Sequence, residues 1–542
     1  MDKLYLKLNV CTEIIAKGAT CHTANIAWLN QFCAAFHTFA TKFKSYLPEL
    51  APKNELEGNI KIHVETIFLC FTQVITCITQ LERTINIEST LEAGAHLLVT
   101  RTHFLDRIDW CLRRLQASVY QLAEEAIAST PVKLEDLSFV ELLDLALDKL
   151  ETYSEIVPTQ PQSEEEDLNS LHSDENNQLV DQVNHLIKHA LAFANVALES
   201  DKKALTAIYE TVLEESGIFE RNFKTHNPNE RKLEALSLQR ALYSLETYLN
   251  EGLLHLIFTS MFDTEKTSIK RLRNILQTSE SSRAVDKLIS DFDINVDRIQ
   301  QIGIFAIAFT QDVKTKTLIR SCLASLESLD SCIVPAFQFQ ITSSASNHAD
   351  ILEHHFREEL MVFRNVIHEI IDSRALINNY LDILAESIDN AEKLHPKGYL
   401  LQVAQMGNVI FQHFQLKVNN QELIADEEGK RLHQDFIAIL HECQAVLEVS
   451  VHVDLKRIVK RLKILYSILA KLRDICDKLV YERAISNNEK SITTSTKLRQ
   501  HSFANPEIGH TIPNCNRTNS SNSLSHESDL ISFQLTEILR IT

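Results

Sequence analysis

His368 and Asp372 stand four residues apart in the run His-Glu-Ile-Ile-Asp, the nearest approach in this chain to a zinc-binding helix. That chemistry needs a second imidazole one helical turn on, and an aspartate in its place leaves a single nitrogen ligand. The adjacent His354 and His355 project from different faces of any helix and cannot chelate one ion. Cys70 and Cys77, one heptad apart, read as thiols filling an apolar stripe. Glycine-rich phosphate loops and the nucleophile elbow are missing from the sequence. We therefore expect no enzyme activity, with no catalytic, cofactor-binding or metal-binding residue and no cofactor.

One segment departs from the acidic background. Between Asp454 and Arg483 stand nine basic residues (Lys456, Arg457, Lys460, Arg461, Lys463, Lys471, Arg473, Lys478, Arg483) against four acidic ones (Asp454, Asp474, Asp477, Glu482), a net of +5. The same stretch has an apolar seam at helical spacing: Leu455, Ile458, Leu462, Leu465, Leu469, Leu472, Cys476 and Leu479. Lys456, Arg457, Lys460, Arg461 and Lys463 then crowd the outer face of its first turns. They form a candidate contact for an acidic filament or for anionic lipid headgroups. The competing reading is that these cations offset neighbouring acidic helices or stay solvated.

Helices must position such a face, and the composition favours them. Of 542 residues only 10 are Gly and 10 are Pro, which leaves few turn formers. The length calls for several packed units. A formal charge of −19 argues against nucleic acid as a partner. Eleven cysteines without CxxC spacing read as reduced, buried thiols. The start, MDKLYLKLNV, has no signal-peptide core, and the uncharged run from Gly18 to Thr41 reads as one core helix because His22, Asn25, Asn30, Gln31 and His37 would be costly in lipid.

Heptads pervade the first 150 or so residues. Leu29, Phe32, Phe36, Phe39, Phe43 and Tyr46 form one stripe, Val64, Ile67, Phe71, Val74, Ile78, Leu81 and Ile85 a second, and Leu105, Ile108, Leu112, Leu115, Val119, Leu122 and Ala126 a third. A further helix is expected from Pro131 through Leu134, Leu137, Val140, Leu143 and Leu147. The layout expected is an N-terminal bundle over 1–157, an acidic flexible linker over 158–177, central bundles over 178–394, C-terminal helices with a basic face over 395–486, and a disordered polar tail over 487–542. The linker carries six acids and no Lys or Arg, and reads as a solvated tether or a regulatory contact. Three helices are expected between Leu400 and Arg483, and the tail is expected to end in a short amphipathic helix over 529–541 that docks on a bundle. The fold class is all-α, in tandem antiparallel bundles.

The centre of the chain, DRIQQIGIFAIAFTQDVKTKTLIRSCLASLESLDSCIVPAF, pairs two amphipathic helices across a polar break at Thr310 to Thr317. It resembles the matching helix pair of the vinculin and alpha-catenin superfamily. The likeness is carried by Asp297 and Arg298, by Gly303 with Phe305 and Ala306, by Leu318, Ile319 and Arg320, by Leu326 and Glu327, and by the apolar exit at Val334 and Pro335. Within that superfamily, the length, acidic linker and Ser/Asn-rich tail resemble a family of insect blastoderm proteins. The resemblance implies a cytoskeletal adaptor in the cytoplasm, peripheral on the cytoplasmic side of the plasma membrane, that organises actin filaments during cellularisation of the syncytial blastoderm. It implies actin filaments, bound directly or indirectly, and other cytoskeletal or adhesion proteins as partners. The alternative is a helical scaffold or tether that binds only other proteins.

Overall fold

The computed structural model describes residues 2–20, 25–50, 59–91, 97–125, 134–155, 165–222, 228–261, 269–277, 282–310, 312–338, 343–394, 397–448 and 454–487. Among them are seventeen α-helices, one short 3-10 turn and no strand, so the chain is all-α.

The first bundle is α1 (Asp2–Thr20), α2 (Ile26–Leu50), α3 (Asn59–Glu88) and α4 (Leu98–Glu125). The heptad stripes face inward. Phe32, Phe36, Phe39, Phe43 and Phe71 are fully buried, as are Ile108, Leu112 and Leu115, and Tyr46 is half-buried; Ala126 lies outside the described residues. The uncharged run at Gly18 to Thr41 is split between α1 and α2. Asn25 is the cause: its Oδ1 accepts hydrogen bonds from the Ala27 and Trp28 amides at 3.1 and 3.2 Å and starts a new helix. Trp28 then lies against Gly18, where a Cβ would sit 2.0 Å from the indole ring.

The second unit is α5 (Phe139–Glu155), α6 (Glu165–Val196), α7 (Glu199–Asn222) and α8 (Pro228–Ser260), with α5 packed on α6 and α8 rather than on the first bundle. The helix expected from Pro131 begins at Phe139. Ser138 and Glu141 form a capping box, in which the Ser138 amide donates to Glu141 Oε2 at 2.9 Å and the Glu141 amide to Ser138 Oγ at 3.3 Å. The buried stripe is accordingly Phe139, Leu142, Leu143, Ala146 and Leu150, while Leu134, Leu137, Val140 and Leu147 are half-buried. The acidic stretch expected to be a linker is helical from Glu165 onward. Acidic residues at a helix N-terminus interact favourably with its dipole. Residues 158–164 lie outside the described residues.

α9 (Ile269–Gln277), α10 (Ser282–Phe309), α11 (Val313–Gln338) and α12 (Ser343–Ile370) make the third unit, and α10 also packs on α5, α6 and α8. Asp312 shortens the expected break by capping α11: its Oδ2 accepts from the Thr315 amide at 2.8 Å. α11 also carries Pro335 inside the helix instead of ending there. α10 and α11 touch at Gly303, where a Cβ would stand 2.6 Å from the Leu323 side chain.

The fourth unit is α13 (Ser373–Leu394), α14 (Lys397–Gln415), α15 (Lys417–Ala425), α16 (Glu427–Glu448) and α17 (Leu455–Asn487). α13 packs against α14 and α17, so Pro396 and Gly398 mark a turn inside this unit and not its edge. Among the described residues four helices, not three, follow Pro396, because Leu416 and Asp426 set off the short α15. The tail beyond Asn487, with its 529–541 segment, lies outside the described residues.

α3 is unusual in being buried on two sides. Its Ile62–Glu88 stretch is long and apolar enough to cross a membrane, yet over half of that apolar window is covered by protein. Beside the apolar stripe it has a second buried row that is polar: Glu65, Gln73, Gln80, Thr84 and Glu88. Part of this row faces α11 and α12. Gln73 Nε2 donates to Ser321 O at 2.8 Å, Ser321 Oγ at 2.9 Å and Ser325 Oγ at 3.0 Å. Arg83 makes a forked pair with Glu358 at 2.9 and 3.0 Å, joined by Gln80 Nε2 at 3.1 Å.

This meeting of α3 and α4 with α11 and α12 also collects titratable groups. Burial holds His103 and His355 down at about 4, and lowers His348. Burial pushes the Glu359 carboxyl, beside Cys322 and Ser325, up to about 7 from an ordinary 4.5. A raised carboxyl disfavours the folded state as pH climbs from 4.5 through 7, whereas lowered imidazoles disfavour it as pH falls from 6.5 toward 4. Glu359→Gln removes the first effect. Above pH 7 the unfolding free energy of this variant is expected to exceed that of the parent by an amount on the order of 2 kcal/mol. Measured across pH, the two curves should converge below about pH 5.

Candidate functional site: the outer face of helix α17

Asp454 opens α17. Its Oδ1 accepts from the Lys456 amide at 3.1 Å, and its carbonyl accepts from the Arg457 amide at 2.9 Å. From this cap the seam runs inward through Ile458, Leu462, Leu465, Leu469, Leu472 and Cys476, all buried against α13 and α16, with Leu455 and Leu479 half-buried at its ends. Burying each such side chain contributes roughly 1.5–3 kcal/mol, and this fixes the rotation of the helix. The opposite face is therefore held in water.

Lys456, Arg457, Lys460 and Lys463 are exposed and make no ion pair with any described residue. Arg461 is different: half-buried, it turns to α16 and bonds Glu442 at 2.6 Å. Of the five sequence candidates, four share an open face and the fifth ties the helix to its neighbour. Lys471, outside that set of five, extends the stripe, since positions 456, 460, 463, 467 and 471 recur on one helix side over about 22 Å. Its spacing of eleven residues from Lys460 was the available signal. Ile464, 42% exposed, and Tyr481, 68% exposed, add apolar surface beside the cations. Farther along, Arg473 pairs with Asp474 at 2.7 Å and Lys478 approaches Asp426 at 3.5 Å. The face is a stripe of positive charge. It suits contact with an extended acidic surface.

The other sequence candidates are structural. His368 is buried at the end of α12 with neither ring nitrogen hydrogen-bonded among the described residues, and Asp372 caps α13 through the Ala375 amide at 3.0 Å. His354 pairs with Glu358 at 3.0 Å on the surface while His355 is buried. Cys70 and Cys77 are buried; the hydrogen bond with Cys111 and then burial push the Cys70 thiol up, and burial pushes up that of Cys77. Among the described residues, no group of three His, Cys, Asp or Glu side chains is placed to hold a metal.

The tandem bundles and the α10–α11 pair define a class by fold, the all-α helical-bundle proteins built like vinculin. A solved vinculin homologue from a sponge superposes with a TM-score of 0.50 at 15% identity, over 88% of this chain and 59% of its own, so this chain spans under two thirds of that molecule. The family model described as Serendipity locus alpha protein (SRY-A) matches residues 1–542, and the chain belongs to that family. It is 89% identical over 542 residues to Serendipity locus protein alpha of Drosophila virilis, with both chains fully covered. It is 54% identical over 564 residues to the protein of that name in Drosophila pseudoobscura pseudoobscura, again with full coverage of both.

Proposed function

We propose that this protein is a cytoskeletal adaptor that organises actin filaments at the inner face of the plasma membrane during cellularisation of the syncytial blastoderm, and that it touches the filament directly through the outer face of α17. The observation that carries the contact is the unpaired, exposed row Lys456, Arg457, Lys460 and Lys463 in a chain of net charge −19. A rigid helix presenting several cations to an acidic lattice gains affinity from many weak, screened attractions acting together. The embryonic setting and the membrane side rest on the family likeness set out above.

Co-sedimentation with purified filaments tests the reading. Reversing Lys456, Arg457, Lys460 and Lys463 to Glu is expected to reduce pelleting by at least about tenfold at low salt. Arg461→Gln, which only loosens the tie to Glu442, should pellet nearly as the parent does. Equal pelleting of the parent and the reversed protein removes the stripe from filament binding. If the parent itself ignores filaments, the scaffold alternative takes its place, and binding to vesicles of anionic lipid would reassign the stripe to the membrane.

A further inference from the structure

The contacts of α1–α4 with the rest of the protein are chiefly those of α3 and α4 with α11 and α12. Each side of this contact has a large buried apolar lining, continuous with the rest of the core. The first bundle closes around Phe36, Phe39, Phe43 and Phe71, and the third around the seam Cys322, Leu326, Leu329 and Ile333. Between the two runs a polar network. Gln73 bonds the Ser321 and Ser325 hydroxyls, and Arg107 bridges Gln73 Oε1 and Ala324 O, both at 3.1 Å. Arg83 and Gln80 hold Glu358, Arg320 holds Glu65, and Thr100 Oγ1 meets His348 Nδ1 at 2.8 Å. Cys332 Sγ lies 3.7 Å from His103 Nδ1, and one aromatic edge contact, Phe104 on His355 at 5.8 Å, accompanies them.

We propose that this polar meeting of α3 and α4 with α11 and α12 is a releasable joint, from which the α1–α4 bundle undocks as a folded unit. Every bond in it exchanges for bonds to water on separation, so each is worth far less than its strength in isolation. Opening also hydrates Glu65 Oε1, which is buried without a hydrogen-bond partner among the described residues. The phenylalanine core of the first bundle has no such exchange available and stays closed. The chain permits the movement: eight residues separate Glu125 at the end of α4 from the 3-10 turn at Leu134, a reach of up to roughly 30 Å. Release does not depend on filament binding by α17.

Thiol labelling of the full-length protein, read by mass spectrometry, tests this. Cys332 lies at the joint, whereas Cys70 and Cys111 are buried inside the first bundle and report its unfolding. Arg83→Glu places like charges opposite Glu358 and is expected to speed Cys332 labelling by at least about tenfold while Cys70 and Cys111 stay protected. The exchanged pair Arg83→Glu with Glu358→Arg should return the rate to within about threefold of the parent. Raising salt on the parent should speed Cys332 while Cys70 and Cys111 stay protected. The proposal is overturned if Cys70 and Cys111 become labelled together with Cys332, or if Arg83→Glu leaves Cys332 unchanged.

Discussion

Replacing Phe71 by alanine is expected to lower the stability of the α1–α4 bundle by about 3–5 kcal/mol, the range for removing a large ring from a closed core. Phe71 is fully buried on α3, and its ring centroid lies 5.4 Å from Phe36, 5.8 Å from Phe39 and 5.8 Å from Phe43 on α2. α2 meets α3 over a narrower contact than α3 meets α4, so these ring pairs supply much of what closes that side. The surrounding rings are rigid and cannot collapse into the space, which places the cost at the upper end of the range. Denaturant unfolding followed through labelling of Cys70 and Cys111 measures it. Phe71→Leu should cost less than half as much, and a Phe71→Ala change below about 1 kcal/mol would show that the ring cluster does not close the bundle.

Arg101→Leu is expected to cost a similar amount, about 3–5 kcal/mol, for a different reason. Arg101 and Glu88 have side chains only 7% and 5% exposed and share a forked contact, with Arg101 Nε 2.9 Å from both carboxylate oxygens. The same carboxylate accepts the Leu97 amide at 2.6 Å and so ties down the start of α4. Removing the guanidinium strands a buried carboxylate, whereas the intact pair is close to neutral relative to an apolar one. Adding Glu88→Gln to Arg101→Leu should recover part of the loss, because the amide oxygen still accepts from Leu97 and carries no charge. A double variant no more stable than Arg101→Leu would contradict this account, in which the stranded charge is the main cost.

The period of the apolar residues made much of this fold legible. In α2, α3, α4 and α17 the stripes read from spacing are the buried ones, save half-buried Tyr46, Leu455 and Leu479 and the undescribed Ala126, since a 3.5-residue repeat leaves one way to bury the oily side. Helix ends were harder. Asn25, Ser138 and Asp312 each start a helix by accepting a backbone amide, and a pattern read from apolar spacing runs past them. The capping box at Ser138 and Glu141 was present in the sequence, and with it the register of α5. The grouping of helices into units was not: Pro396 marks a turn, but only tertiary packing tells whether α13 faces α12 or α17.

The exposed row on α17 was legible because cations alternate there with a regular seam. The pairing of Arg461 with Glu442 was not, since it depends on how α16 lies alongside. The polar joint was least legible of all. Gln73, Gln80, Ser321 and Ser325 look in sequence like a solvent-facing row, and the partners of Gln73 stand about 250 positions away, at separations of 248 and 252. Local periodicity distinguishes apolar from polar, and it cannot tell a polar side chain facing water from one facing another polar side chain.

The most direct test of the central claim, that this protein meets actin through a charged outer face, is a salt series of filament binding with the parent and the four-residue reversal of Lys456, Arg457, Lys460 and Lys463. The parent's affinity is predicted to fall steeply between low and physiological salt while the reversed protein stays weak throughout, because screening removes an attraction that the variant already lacks. Parallel curves of equal affinity would contradict the account.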